Sequence, residues 1–293
     1  MNFPTDLNQV PQNLLSSNDV PSGRPYPQYQ SIGGSTNNAV SNYNSLQMSI
    51  TKRMTHGVGL SFNYVWSHML DDMDSSGWGS HAGPQDFQIA NNPGANYSNS
   101  NFDVRQAFKG YAVYMLPFGR GQRFLNTNRL VDGVIGGWQI SGTIVLSTGN
   151  PFTVTNSQNN TYAQAGASFP NRVPGAPLYP ANKSILDWFN PGAFSQPANG
   201  TFGNVPRNSL YGPGLNEVNL SGSKTFSLPW EGVSIQIRAD AQNAFNHPSF
   251  GVPGDISLGG SAGPGTPYTT AATALNTVTV QGRNVQLGVR VTF

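Results

Sequence analysis

The chain has 293 residues and a formal net charge of +2, and only 10% of its residues are Asp, Glu, Lys or Arg, well under the roughly 25% usual in soluble domains. Its mean hydropathy is nonetheless −0.35, so its polarity comes from Asn, Ser, Gln, Thr and Gly. It has no cysteine, hence no disulfide framework and no thiolate metal site; no Lys/Arg cluster interleaved with aromatics points to nucleic acid, and no apolar run approaches the roughly 20 residues of a spanning helix.

Residues 1–40 are rich in Asn, Pro, Ser and Gly and read as a loop-rich segment. A short strand over 25–32 is admissible, but its two prolines confine it to an edge or a loop. The first strand by period-two alternation spans 41–53, with Leu46, Met48 and Ile50 opposed to Ser45, Gln47, Ser49 and Thr51. A tight turn at Met54–Gly57 leads to strand 57–68, where Val58, Leu60, Phe62, Tyr64 and Trp66 share one side. The connection from Met69 to about Val104 contains Asp71, Asp72 and Asp74. Strand 105–116 is less clean: Lys109 sets an inward parity that Tyr111, Val113 and Met115 share.

Strand 137–149 sets Trp138, Ile140, Ile144 and Leu146 against Gln139, Ser141, Thr143 and Ser147. A proline-rich connection from Asn150 to Gly214 reaches strand 215–227, where Lys224 shares the parity of Val218 and Leu220. Leu228–Gly232 turns tightly into strand 233–245, with Gln236, Arg238, Asp240 and Gln242 opposite Ile235, Ile237, Ala239 and Ala241. The last strand alternates from Arg283 to Phe293, with Val285, Leu287, Val289, Val291 and Phe293 on one side and Arg290 on the other.

The connections alternate in length. If the last strand ends in the periplasm, those at 54–57, 117–136 and 228–232 fall on that side and all three long ones fall outside. That asymmetry belongs to transmembrane barrels; inside a compact soluble domain, long structureless connections would count against the strands. A strand of about ten residues, tilted by about 40°, projects to the roughly 25 Å height of an apolar band. Tyr64, Trp66 and Phe245 then lie near the outer interface, and Trp138, Phe226, Trp230 and Phe293 near the inner one, as interfacial aromatics do. Lys224 sits near the inner rim, where a lipid-facing lysine costs roughly 0–1 kcal/mol and its head can snorkel to water. The expected fold is all-β: an antiparallel up-and-down transmembrane β-barrel segment of about seven or eight strands over 41–293, with long extracellular loops and short periplasmic turns. A soluble β-sandwich is the competing architecture.

The closing register of Gln286, Gly288, Val291 and Phe293 resembles the C-terminal insertion signal of bacterial outer-membrane barrels, read by the barrel-assembly machinery. A wider resemblance runs through Tyr43-Asn-Ser-Leu-Gln47, Phe62-Asn-Tyr-Val-Trp-Ser-His68, Phe102-Asp-Val-Arg-Gln-Ala-Phe108, Leu116-Pro-Phe-Gly119, Gly137-Trp-Gln-Ile140, Ser147-Thr-Gly-Asn-Pro-Phe152, Arg238-Ala-Asp-Ala-Gln-Asn-Ala-Phe-Asn-His-Pro248 and Gln286-Leu-Gly-Val-Arg290. In order and spacing these resemble the C-terminal barrel region of Oar-like TonB-dependent receptors, which usually carry an N-terminal carboxypeptidase-regulatory-like domain. The resemblance implies a barrel of about 22 strands, a plug domain and energisation through TonB in a full-length protein. This sequence shows neither plug nor TonB-contacting segment, and its start has no basic-then-apolar signal peptide, so a fragment or a misplaced start is expected. Surface adhesion or display from the same barrel is the alternative function.

Catalysis is not expected: there is no Gly-x-Ser-x-Gly elbow, HExxH helix or phosphate loop. Asp71, Asp72 and Asp74 lack the glycine and bidentate glutamate of a calcium loop, so a solvated loop is the expected role. His56, His68, His81 and His247 have no metal-ligand spacing, and no cofactor is expected. Gln236, Arg238, Asp240, Gln242 and Arg290 form a lumen-facing polar ladder, with Arg238 and Asp240 read first as an ion pair within the wall and second as a contact for solute or plug. The solute itself is not encoded in any recognisable motif.

Overall fold

The computed structural model describes residues 3–11, 14–15, 23–30, 32–73, 88–89, 92–119, 122–124, 133–157, 160–161, 168–227, 233–253, 257–260, 263–271 and 273–293. Seven long strands follow one another in a single antiparallel sheet: β1 (Ser41–Thr55), β2 (Val58–Asp71), β3 (Gln106–Met115), β4 (Trp138–Ser147), β5 (Leu215–Ser227), β6 (Ser234–Gln242) and β7 (Asn284–Thr292). A two-residue piece, Ser98–Asn99, adds to the outer end of β2 as an eighth strand. The sheet is open, with β1 and β7 as its edges. Each strand expected from alternation is present, within three residues at either end.

The β1–β2 hairpin closes on His56 and Gly57, whose φ angles of 52° and 77° are left-handed, the conformation that two-residue hairpin turns require. Gly57 is needed for space as well. A Cβ there would stand 2.9 Å from the Met115 carbonyl oxygen of β3.

Register carries the two faces across the whole sheet, because directly opposed residues of antiparallel strands point the same way. Leu46 opposes Trp66, and Tyr64 opposes Phe108, which opposes Leu146. Ile144 opposes Val218, Leu220 opposes Ala241, and Ile235, Ile237 and Ala239 oppose Val291, Val289 and Leu287. One face is therefore apolar over seven strands. The other carries Ser49, Asn63, Lys109, Thr143, Asn219, Ser221, Arg238, Asp240 and Gln286, and Tyr111, Val113 and Met115 lie on it with Lys109, as the parity of that residue required. Among the described residues no second layer covers the apolar face: Ile50 is 67% exposed, Leu287 79% and Val289 71%. A soluble sandwich would bury these side chains.

Two glycines on the apolar face make room for large neighbours. Phe62 lies across Gly110, where a Cβ would run into its ring and stand 2.7 Å from the Ser61 carbonyl oxygen, and stacks on Phe108 at 5.5 Å between centroids. Leu220 covers Gly142 in the same way. Lys224 has the expected parity but not the expected freedom. It is 3% exposed, its ammonium donates to the Gly136 carbonyl, and it packs against the Phe226 ring at 4.9 Å and the Trp138 ring at 5.8 Å.

Two further expectations are corrected. Residues 25–30 form no strand; instead Phe3–Asp6 pairs with Gly33–Thr36 in a separate two-stranded sheet. Nor are the long connections irregular loops. Short pairings tie Pro151–Phe152 to Leu210–Tyr211, Asn171–Arg172 to Phe194–Ser195, and Thr155–Asn156 to Ser257–Leu258. Around them Phe152, Val154, Phe189, Ala193, Phe194, Val205, Leu210, Leu258 and Tyr268 form a buried core. Phe189 meets Phe152 and Phe194 edge-on at 5.8 and 6.4 Å. Each such ring, fully buried, contributes about 1.5–3 kcal/mol. The apolar core of this protein thus lies in its outer cap, while the wall leaves its apolar face open.

Candidate functional site: the polar face and the outer cap

The polar face is hollow. A depression of about 550 Å³ is lined by Tyr111 and Val113 of β3, Ser141 and Thr143 of β4, Asn219 and Ser221 of β5, Arg238, Asp240 and Gln242 of β6, and Gln286 of β7. Five strands contribute to it, so the sheet is concave on its polar side. Alternation places these side chains together: they share one parity on each strand, and most are neutral hydrogen-bonding groups.

Gln236, Arg238, Asp240, Gln242 and Arg290 share the polar face of β6 and β7. Gln236 opposes Arg290, Arg238 opposes Gly288, Asp240 opposes Gln286, and Gln242 opposes Asn284. Arg238 Nε donates to Asp240 Oδ1 at 2.7 Å. The pair is half-open to water, with the Arg238 side chain 56% exposed, so solvent screens it. Gly288 has open space around the position of a Cβ, which leaves the Arg238 side chain unobstructed across the strand pair.

Above the hollow the cap is fastened to the wall by buried polar contacts. Asp71, the last residue of β2, is buried against Arg207, whose guanidinium donates to the Asp71 carboxylate and carbonyl and, through Nε, to the Asn96 carbonyl at 2.9 Å. Asp72 accepts from the Val40 N–H at 2.9 Å and is buried too. The solvated-loop reading is therefore overturned for both: Asp71 joins wall to cap, Asp72 ties the end of β2 to the start of β1, and Asp74 lies outside the described residues. Asn208 Nδ2 donates to the Asn99 carbonyl at 2.7 Å, and Asn99 Nδ2 returns to the Asn208 carbonyl at 3.1 Å.

Tyr211 hydroxyl donates to Asp103 Oδ2 at 3.0 Å, while Asp103 Oδ1 accepts the Met69 N–H at 2.8 Å. Burial first, then the Asp103 carboxylate, push the Tyr211 phenol up to about 12. Burial raises the Tyr268 and Tyr179 phenols as well. Gln88 joins three segments, donating to the Gly203 carbonyl and accepting from the Phe169 and Gly203 N–H groups, while its own carbonyl takes Gln9 Nε2 at 2.9 Å. Arg207, Asn208, Tyr211 and Gln88 carried no motif. The one available signal was that the connection from Asn150 to Gly214 has only four charges, Arg172, Lys183, Asp187 and Arg207, and a rare charge in a neutral, aromatic-rich stretch needs a partner.

Phe62, Tyr64 and Tyr111 lie within the length of the wall strands. Trp66 and Phe245 are toward the cap end, and Trp138, Phe226 and Phe293 at the other; Trp230 lies outside the described residues. Gln286, Gly288 and Val291 lie on the edge strand β7, followed by Phe293, which is 98% exposed. Among the described residues no group of three His, Cys, Asp or Glu side chains is placed to hold a metal. His68 Nε2 contacts Asn99 Oδ1 at 3.1 Å, His56 serves the turn, and His81 is not among the described residues.

A family model described as an outer membrane beta barrel domain matches residues 1–286. No curated protein and no solved structure matches the chain. Such families are typically non-enzymatic, and their place is the bacterial outer membrane. An exposed apolar face over seven meandering strands, a concave polar face behind it and long connections gathered at one end are the features of that family, and the chain belongs to it: it is an outer-membrane β-barrel protein.

Proposed function

We propose that this chain is wall and outer cap of a TonB-dependent-receptor-like barrel that takes up a neutral, polar solute, with plug and energy coupling supplied by further parts of a full-length protein. The observation that carries the reading is the hollow of about 550 Å³ on the polar face, with the Arg238–Asp240 pair in its lining and a folded cap at the outer end of the wall. Strand parity supports a larger wall. With seven strands in meander, β1 and β7 run the same way, so joining them directly would make a parallel seam. An odd number of further strands completes an antiparallel ring of even number, and it also pairs the backbone groups that an open edge would leave unmet in lipid at several kcal/mol each. The resemblance to Oar-like receptors points the same way.

The test is uptake in the native cell. Radiolabelled oligosaccharides and peptides are offered to wild type, to a strain lacking this barrel, and to one lacking TonB. Loss of uptake of one solute class in both mutants supports the reading. The cap, with its own aromatic core, favours a second reading, surface display; unchanged uptake in both mutants together with reduced attachment of the barrel-deficient cells would select it.

A further inference from the structure

The segment that leads into β4 presents its apolar side chains outward at the end of the wall opposite the cap. Residues 133–135 make one helical turn, Gly136 is buried, and Gly137, at φ 71°, redirects the chain into the strand. Val134 is 70% exposed and Ile135 40%. This turn is fixed against the apolar face of the sheet. Trp138 Nε1 donates to the Val134 carbonyl at 3.0 Å, and the Lys224 ammonium donates to the Gly136 carbonyl. Trp138 and Lys224 are direct cross-strand partners on that face.

We infer that residues 133–138 are a lipid-interface anchor, with Val134 and Ile135 seated in the phospholipid leaflet on the periplasmic side and Lys224 holding the turn in place. The occupant follows from continuity: the same face, two strands wide on either side, is the lipid-facing wall of an outer-membrane barrel. An indole at the boundary and apolar side chains beside it match the chemistry of the headgroup–acyl border. Lys224 explains why the turn does not float free. A cation on a lipid-facing parity must either reach water or find a carbonyl, and here it takes the Gly136 carbonyl and the faces of two aromatic rings. The inference rests on membership in the barrel family and not on transport.

The chain has no cysteine, so single nitroxide labels at Val134→Cys and Ile135→Cys report the surroundings directly. The measurement is made on the full-length protein in isolated outer membranes, with Leu220→Cys as a lipid-facing and Ser141→Cys as a polar-face reference. Oxygen relaxing the labels at 134 and 135 more than a water-soluble nickel chelate does, as at 220, is the expected result. Nickel dominating, as at 141, overturns the proposal in favour of water. Low accessibility to both reagents overturns it in favour of a protein neighbour. Lys224→Gln in the Val134→Cys background is expected to increase label mobility and shift the balance toward nickel; an unchanged spectrum overturns the holding role of Lys224.

Discussion

Arg207 and Asp71, 136 positions apart in the chain, form a buried ion pair between the outer cap and the end of β2. A pair this deep adds little net energy compared with apolar residues in its place, but removing one partner strands the other charge at a cost of about 3–5 kcal/mol. Arg207→Ala is therefore expected to loosen the cap, exposing the 150–214 connection to protease, while the wall keeps its heat-modifiable mobility. Arg207→Met with Asp71→Leu should recover most of the protection, because no lone charge remains. Equal protease resistance of Arg207→Ala and wild type would remove the clamp.

Burial of the Tyr211 phenol, reinforced by the Asp103 carboxylate it donates to, gives the cap an alkaline limit. The folded phenol is raised to about 12 from its ordinary 10, so the folded cap binds this proton more tightly than the unfolded chain does. Its contribution is fully present below pH 10 and is lost between pH 10 and 12 as the unfolded state gains from ionisation. Cap proteolysis followed across that window should show the loss, and Tyr211→Phe should flatten this part of the profile. A Tyr211→Phe profile identical to wild type would assign the alkaline limit elsewhere.

Gly110 lies under the Phe62 ring, and a side chain there must displace it. Gly110→Val is expected to cost about 1–3 kcal/mol, the range for overpacking, read as a lower unfolding midpoint in detergent. Adding Phe62→Ala opens the space and should reduce the penalty of the valine. Additive losses in the double variant would mean that the ring is not what the valine meets.

Phe293 closes the edge strand that carries Gln286, Gly288 and Val291. Its deletion from the full-length protein is expected to lower the amount assembled in the outer membrane without altering synthesis, measured by fractionation and immunoblot. Normal assembly would separate these four residues from any signal read by the barrel-assembly machinery.

The wall was legible in sequence because its rule is local. Ile235, Ile237, Ala239 and Ala241 against Gln236, Arg238, Asp240 and Gln242 state the two faces in eight positions, and the register of β6 with β7 preserves them. The turn at His56-Gly57 needed only two residues. The cap was illegible for the opposite reason: Phe152, Phe189 and Phe194 meet through contacts that no period in the sequence announces, and the partner of Asp71 lies far along the chain. Lys224 fell between the two cases. Its parity was readable, but the Gly136 carbonyl that accepts its hydrogen bond was not.

The account depends most on which face of the wall meets hydrocarbon. Single cysteines placed at each position from 235 to 241 in the full-length protein, treated with a water-soluble maleimide in intact outer membranes, test it directly. Modification at 236, 238 and 240 with protection at 235, 237, 239 and 241 is the predicted pattern. Uniform modification, or modification on the Ile and Ala parity alone, would contradict it.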